Sequence, residues 1–148
     1  MFLRDSLVGY IATGFLLLTL ACLPVKGCTC DTLTEEGYFC SSEEVVKVTV
    51  LNQLGGQPCS SEYNTYNISI DNVFKSKLGL TVSVVTLNTP CESYMCPLFL
   101  TKGFQYLLSV SQEDIGLTST ACSWIRVWDN SSSTMTKLSN GVFQSKCA

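Results

Sequence analysis

The stretch Cys28-Thr29-Cys30-Asp31 places two cysteines one residue apart, and six more cysteines follow along the chain. From this stretch onward the cysteines are Cys28, Cys30, Cys40, Cys59, Cys91, Cys96, Cys122 and Cys147. An even set of cysteines in a small secreted domain indicates a disulfide framework, so we expect four bridges and no free thiol. Spacing alone leaves the pairing open, because eight cysteines allow 105 connectivities.

The residues ahead of Cys28 have the composition of a secretory signal peptide. Arg4 precedes an apolar run over 7–20, and compact residues at Val25 and Gly27 suit the positions that signal peptidase recognises. The run is too short to span a bilayer of about 30 Å, which argues against a membrane anchor. We therefore expect residues 1–27 to be removed and residues 28–148 to be secreted as one domain beginning with Cys28.

The charge pattern and the missing histidine exclude several classes of function. Without residues 1–27 the chain has seven Lys and Arg against eleven Asp and Glu, a net charge of −4, and no basic run. Nucleic acids and anionic membranes are bound through clustered basic residues, so neither is an expected partner. Histidine is absent and every cysteine is expected in a bridge, so we expect neither an enzyme nor a cofactor of its own.

Alternating apolar positions predict a mainly β domain with five strands and a C-terminal helix. The strands are expected at Val46–Val50, Tyr66–Asp71, Thr81–Leu87, Tyr106–Val110 and Cys122–Trp128, with turns at Gly55-Gly56, Lys77–Gly79, Asn88–Pro90 and Gly116. Residues 131–133 can cap a helix whose apolar face carries Met135, Leu138 and Val142, and Gly141 should weaken or end it. Five strands with a flanking helix suit the small closed barrel of the oligonucleotide/oligosaccharide-binding (OB) type.

Several segments, taken in order, resemble the tissue inhibitors of metalloproteinases. Cys28-Thr29-Cys30 at the expected mature N-terminus is similar to the family's opening, which is Cys-Thr-Cys or Cys-Ser-Cys. The later similar segments are Tyr66-Asn67-Ile68 through Val73-Phe74-Lys75-Ser76, Cys96 with Tyr106-Leu107-Leu108, and Cys122 through Trp128-Asp129. The resemblance covers essentially all of residues 28–147 and implies the single N-terminal, netrin-like domain form, a disulfide-stapled OB-like barrel.

The resemblance also implies a disulfide pairing and a protease-binding surface. The implied bridges are Cys28–Cys96, Cys30–Cys122 and Cys40–Cys147, which leave Cys59–Cys91 as an additional bridge. The implied contact residues are Cys28, Thr29, Cys30, Asp31, Tyr94 and Met95. The partners would be zinc metalloproteases of the matrix or disintegrin type, inhibited by a monomer in the extracellular space.

The inhibitory chemistry implied for Cys28 follows from how zinc is held in such enzymes. A catalytic zinc has three protein ligands and leaves its fourth position to water, which an inhibitor must displace. The α-amino nitrogen and the carbonyl oxygen of Cys28 can close a five-membered chelate ring on the target's zinc. Deprotonating an amine with a pKa near 7.7 to 8.0 costs only about 1 kcal/mol at neutral pH. Thr29 would then point into the pocket beside the zinc.

Structural readings compete with each of these assignments. The first two cysteines can be simple staples, Tyr94 and Met95 can be loop packing, and Trp128-Asp129 is better interpreted as core packing and the start of a helix. Asp31-Thr32 stands where vertebrate family members commonly have an apolar residue and proline, and a carboxylate there would face repulsion near a protease's catalytic glutamate. The alternative function is therefore a non-inhibitory netrin-like module that binds a receptor or matrix partner.

Two sequons predict N-linked glycosylation. They are Asn67-Ile68-Ser69 and Asn130-Ser131-Ser132. Asn67 should face outward because it alternates with apolar neighbours in a strand, and Asn130 lies in a polar, serine-rich turn.

Overall fold

The structure, a computed structural model, describes residues 28–55, 59, 61–92 and 95–147. The expected signal peptide and Tyr94 lie outside these residues. In the described part of the chain the elements are α1 (Glu35–Ser41), β1 (Glu44–Leu54), β2 (Tyr63–Ser76), β3 (Val84–Pro90), β4 (Gln105–Glu113), β5 (Gly116–Thr118), β6 (Ile125–Val127), α2 (Ser133–Ser139) and a 3-10 turn (Gln144–Lys146). No helix among the described residues is long and apolar enough to cross a bilayer.

Five of the strands close into a barrel, which confirms the predicted fold class. Antiparallel pairs join β1 to β2, β2 to β3, β1 to β4 and β4 to β5, and the parallel pair of β3 with β5 completes the ring. The pairing of β1 with β2 shifts register at three places, between Val45 and Val46, Lys47 and Val48, and Val50 and Asn52. Such bulges bend and twist a strand, which helps a small sheet to close on itself.

The strands that form the ring differ in part from the predicted set. β5, which includes Gly116, was expected only as a turn, and a three-residue strand is too short to show an alternating pattern. The expected strand at Cys122–Trp128 shortens to β6, which pairs with β4 outside the ring. The turn expected at Asn88–Pro90 is instead the end of β3, where these residues pair with Thr65, Asn64 and Tyr63.

Two apolar clusters stabilise the domain, one inside the barrel and one on its outer face. The inner cluster holds Val46, Val48, Val50, Tyr66, Ile68, Ile70, Leu87, Leu98, Leu100, Tyr106, Leu108, Val110 and Leu117. The outer cluster lies where the helices cover the barrel and holds Phe39, Val45, Leu107, Trp124, Met135, Leu138 and Phe143. The predicted alternation in β1 and β2 corresponds to the inner cluster. The adjacent Val45 and Val46 belong to different clusters because successive residues of a strand face opposite sides.

The C-terminal helix forms as predicted, except for Val142. Met135 and Leu138 are buried, and Gly141 ends the helix at φ +71°, with its amide donating to the Leu138 carbonyl over 3.1 Å. The left-handed residue turns the chain out of helical phase. Val142 is therefore 37% exposed, while Phe143 is 4% exposed and packs in the outer cluster in its place.

Glu44, at the start of β1, is a fully buried carboxylate that holds the turn after β2. Its Oε1 accepts hydrogen bonds from the backbone amides of Lys77 and Leu78, and its Oε2 has no partner among the described residues. A buried acidic residue thereby fixes the turn predicted at Lys77–Gly79, where Gly79 has φ +76°.

Replacing Glu44 with Ala should lower the free energy of unfolding by about 2 to 4 kcal/mol, because two amides lose their acceptor and a cavity remains. Glu44→Gln is the matched control, since its amide oxygen can still accept from both backbone groups. We expect it to cost less than about 1 kcal/mol. Urea unfolding of the two variants measures the difference, and equal losses would show that these hydrogen bonds do not hold the turn.

Candidate functional site

Two disulfides attach the beginning of the described chain to the barrel. Cys28 is bonded to Cys96 and Cys30 to Cys122, across 68 and 92 residues of sequence. The Cys122 sulfur lies 3.4 Å from that of Cys28 and 3.1 Å from that of Cys96, so the two bridges are in contact. The four sulfurs lie within 4.8 Å of one another, as metal ligands would. Because they are paired in disulfides they offer no thiolate, so this cluster is a staple and not a metal site.

The residue between the two staples is open to solvent. Cys28 and Thr29 are exposed, whereas Cys30 is half-buried. Residues 28–34 belong to no helix or strand, so their backbone is held mainly by the disulfides and not by a hydrogen-bonded ladder. The result is a short exposed segment that is covalently fixed on both sides of Thr29. We call residues 28–31 the N-terminal ridge.

The two segments that receive these bridges are tied to each other and to the barrel. The Ala121 amide donates to the Cys96 carbonyl over 2.9 Å, and the Cys122 amide donates to Thr120 Oγ1 over 3.2 Å. Two residues further on, Trp124 donates its amide to Ser109 Oγ and accepts from the Ser109 amide, at 2.8 and 2.9 Å. The ridge is therefore attached to a segment that is itself bound to β4.

Met95 lies beside this attachment point and is only half-buried. Its amide donates to the Glu92 carbonyl over 2.9 Å, and Cys96 after it has a left-handed φ of +58°. Met95 also helps to line a cavity of about 100 Å³ together with Tyr63, Pro90, Glu113, Thr118 and Thr120. Met95 is thus next in sequence to the cysteine that is bonded to Cys28, and its side chain is partly packed. Tyr94, its expected companion, lies outside the described residues.

Asp31 is exposed, and its backbone is held by a residue that no sequence motif indicated. The hydroxyl of Tyr38 in α1 donates to the Asp31 carbonyl over 3.1 Å. Helix α1 was not predicted, although Thr34 followed by two acidic residues is a helix start signal. Thr34 Oγ1 accepts from the Gly37 amide over 3.0 Å, and Glu35 and Glu36 occupy the first turn.

The other two bridges do not include ridge residues. Cys40 is bonded to Cys147 and Cys59 to Cys91, so the four bridges are the pairs that the resemblance implies. The Lys75 ammonium donates to the carbonyls of Phe39 and Cys40 at 2.9 and 2.8 Å, at the C-terminal end of α1. Burial, followed by the charge of Lys77, lowers the pKa of Lys75 from its ordinary value.

Trp128 and Asp129 have structural contacts. Trp128 stacks on Phe74 with 5.8 Å between ring centroids, and the Lys47 ammonium lies 4.6 Å from its ring centre. Asp129 accepts from the amide and the hydroxyl of Ser131 just before α2, and the backbone hydrogen bond and then the hydroxyl lower the pKa of its carboxyl. These contacts fit the packing interpretation.

The two predicted glycosylation positions are both partly or fully accessible. Asn67 lies in β2 and is half-buried. Asn130 is exposed, and its Oδ1 accepts from the Trp128 indole over 2.8 Å. Whether either asparagine carries a glycan stays a prediction.

Comparison with known proteins identifies a family that this chain matches. The family model described as tissue inhibitor of metalloproteinase matches residues 26–148. Metalloproteinase inhibitor 2 of Homo sapiens is 26% identical over 148 aligned positions, which cover 93% of this chain and 65% of that protein. The protein of the same name from Canis lupus familiaris is 27% identical with the same coverage. The chain therefore spans just under two thirds of the length of these curated relatives.

Proposed function

The chain belongs to the tissue inhibitor of metalloproteinase family, and from this premise we propose that it is a secreted inhibitor of zinc metalloproteases. In this proposal the α-amine and carbonyl of Cys28 chelate the zinc of the target enzyme. The protein acts by binding and not by catalysis, it holds no cofactor of its own, and the zinc belongs to its partner. Proteases of the matrix or disintegrin type are the proposed partners, met outside the cell by a monomer.

The single observation that carries the proposal is the position of Cys28. It is exposed, yet its side chain is bonded to Cys96, and Cys30 two residues later is bonded to Cys122. Chain termini normally fray, so ordering one on binding costs conformational entropy. Here the disulfides order the terminus before binding, and the main-chain amine and carbonyl of Cys28 remain free of the side-chain bond. The residue has the combination of exposure and rigidity that a metal-directed terminus requires.

The chemistry of the target zinc suits this terminus. A main-chain amine and carbonyl on one residue provide nitrogen and oxygen donors, and zinc accepts both at about 2.0 to 2.2 Å. Cleavage after Gly27 is required, because otherwise the Cys28 nitrogen is an amide without an available lone pair. Thr29 follows as an exposed side chain beside the proposed zinc position, where its size would affect which proteases fit.

The alternative function retains one specific observation in its favour. The Asp31 side chain is exposed at the end of the ridge, where it would enter the neighbourhood of a protease's catalytic carboxylate. Like charges placed together at an interface oppose binding. A netrin-like module that binds a receptor or matrix partner would not meet that repulsion.

One experiment separates the two functions. The secreted protein is first sequenced from its N-terminus, which should begin at Cys28, and is then titrated against matrix and disintegrin-type metalloproteases. Inhibition at one-to-one stoichiometry by protein that begins at Cys28 supports the proposal. A different mature N-terminus, or no inhibition of either class by correctly processed protein, would contradict the proposal and favour the netrin-like binding module.

Replacing Asp31 with Val should strengthen inhibition, with an inhibition constant about three- to tenfold lower, because a carboxylate no longer loses hydration beside a negative cleft. Asp31→Asn removes the charge with almost no change in shape and should give most of this decrease in the inhibition constant. Glu43→Gln changes the net charge equally at an exposed position after α1 and should leave the inhibition constant unchanged. Equal or weaker inhibition by both Asp31 variants would show that this side chain faces away from the cleft.

A further inference from the structure

Tyr38 connects the N-terminal ridge to the core of the protein through two different contacts. Its hydroxyl donates to the backbone carbonyl of Asp31 over 3.1 Å. Its ring lies parallel to that of Trp124, with 6.4 Å between centroids and 9° between planes. One side chain therefore touches both the exposed ridge and a buried tryptophan.

Trp124, on which the Tyr38 ring stacks, is itself held in place by several contacts. It is fully buried, and its backbone amide and carbonyl are both hydrogen-bonded to Ser109 of β4. Phe39 and Phe143 meet its ring edge-on, at interplanar angles of 86° and 89°. A tryptophan held on its backbone and on its ring has little freedom to move, so the Tyr38 ring stacked on it is also restrained.

After Cys30 the disulfides no longer hold the backbone of the chain. The disulfide to Cys122 fixes Cys30 itself, but the next residues, Asp31 to Thr34, are exposed and belong to no helix or strand. Thr32, in this segment, has no ring that fixes its φ angle, as a proline would have. In the described residues the first side-chain hydrogen bond to the backbone after Cys30 comes from Tyr38, and it is made to the carbonyl of the last ridge residue.

We infer that Tyr38 is a positioning residue for inhibition, whose hydroxyl fixes the direction in which the ridge leaves the barrel. The inference rests on the proposed function, since the ridge is the part proposed to meet the protease. The contact is made to the Asp31 backbone, so the role is independent of the Asp31 side chain. It also closes a loop of contacts from Cys30 through Asp31, Tyr38 and Trp124 back to the segment that contains Cys122.

The test is Tyr38→Phe, which keeps the stacked ring and removes only the hydroxyl. Loss of one hydrogen bond of a preorganised segment should raise the inhibition constant about three- to tenfold. In the free protein, the backbone NMR order parameters of Thr29 to Leu33 should fall from about 0.85, the value of a rigid backbone, toward the lower values of a flexible one. The melting temperature should change little, because the hydroxyl bonds only to the exposed ridge.

Tyr106→Phe is the matched control, because it also removes a tyrosine hydroxyl that makes one backbone hydrogen bond. Tyr106 Oη accepts from the Thr101 amide over 3.1 Å, inside the barrel and away from the ridge. This variant should be less stable than wild type but inhibit equally well at a temperature where both are folded. A general loss of stability would instead affect inhibition by Tyr106→Phe at least as strongly.

The outcomes separate this inference from the function on which it rests. Unchanged inhibition and unchanged order parameters in Tyr38→Phe, with an inhibitory wild type, would overturn the positioning role and leave the proposed function standing. A wild type that inhibits no metalloprotease would overturn the proposed function and with it any role in inhibition. Weaker inhibition together with a more mobile ridge supports the inference.

Discussion

Adding one alanine ahead of Cys28 is expected to abolish inhibition while leaving the fold intact. The extension converts the α-amine into a peptide nitrogen, which has no lone pair available for zinc, and it adds bulk where the displaced water had been. Loss of a chelate and a new clash should raise the inhibition constant at least about a thousandfold, or ~4 kcal/mol. All four bridges should survive, because the new residue lies outside the stapled segment.

The measurement is residual activity of a susceptible metalloprotease titrated with wild type and variants, with circular dichroism as the check on folding. Thr29→Gly serves as the comparison, since it removes side-chain contacts beside the zinc but keeps both donors of Cys28. Its effect should be milder and should differ from one protease to another. If the alanine-extended protein inhibits as well as wild type, zinc chelation by Cys28 is wrong.

The second large effect is expected from removing the Cys30–Cys122 bridge as Cys30→Ala with Cys122→Ala. The bridge spans 92 residues. In the loop-entropy model its loss gives conformational entropy back to the unfolded chain and lowers the free energy of unfolding by roughly 4 to 5 kcal/mol. The whole net stability of a small domain is only about 5 to 15 kcal/mol. We expect a protein that is largely unfolded at 37 °C or unfolds at a much lower urea concentration.

Removing Cys59–Cys91 in the same way provides the control. This bridge spans 32 residues, and the same model gives a loss of about 3.7 kcal/mol, roughly 1 kcal/mol smaller. It contains none of the ridge residues, so folded protein that lacks it should still inhibit. Urea unfolding and inhibition are measured on both double variants. A Cys30/Cys122 variant as stable as wild type would show that this bridge does not stabilise the fold.

The fold was predictable where a pattern repeats along the chain. The alternation around Val48 and Ile68 gave β1 and β2, and the apolar spacing of Met135 and Leu138 gave α2. Shorter elements carry too few residues for a period to show. The three residues of β5 were missed for that reason. Helix α1 is as long as α2, but Phe39 is its one buried residue, so it shows no apolar period, and the Thr34 cap was the usable signal.

The sequence named the residues of the N-terminal ridge, whose contact with a protease stays a prediction. The cysteines, Thr29 and Asp31 were reached through the N-terminal motif, and the pairing came from the family resemblance because spacing leaves it open. Tyr38 beside the ridge, and Glu44 elsewhere in the fold, could not be found in this way. Each acts through a contact between separate elements, Tyr38 with Trp124 and Glu44 with the amide of Lys77, and such contacts exist only after the barrel has formed.

Zinc chelation by Cys28 is tested most directly by the crystal structure of the one-to-one complex with a zinc metalloprotease, in which two distances are measured from the catalytic zinc. If Cys28 chelates the zinc, its α-nitrogen and carbonyl oxygen both lie about 2.0 to 2.2 Å from the metal, in place of the catalytic water. A complex in which the zinc keeps its water and Cys28 lies beyond bonding distance would contradict it.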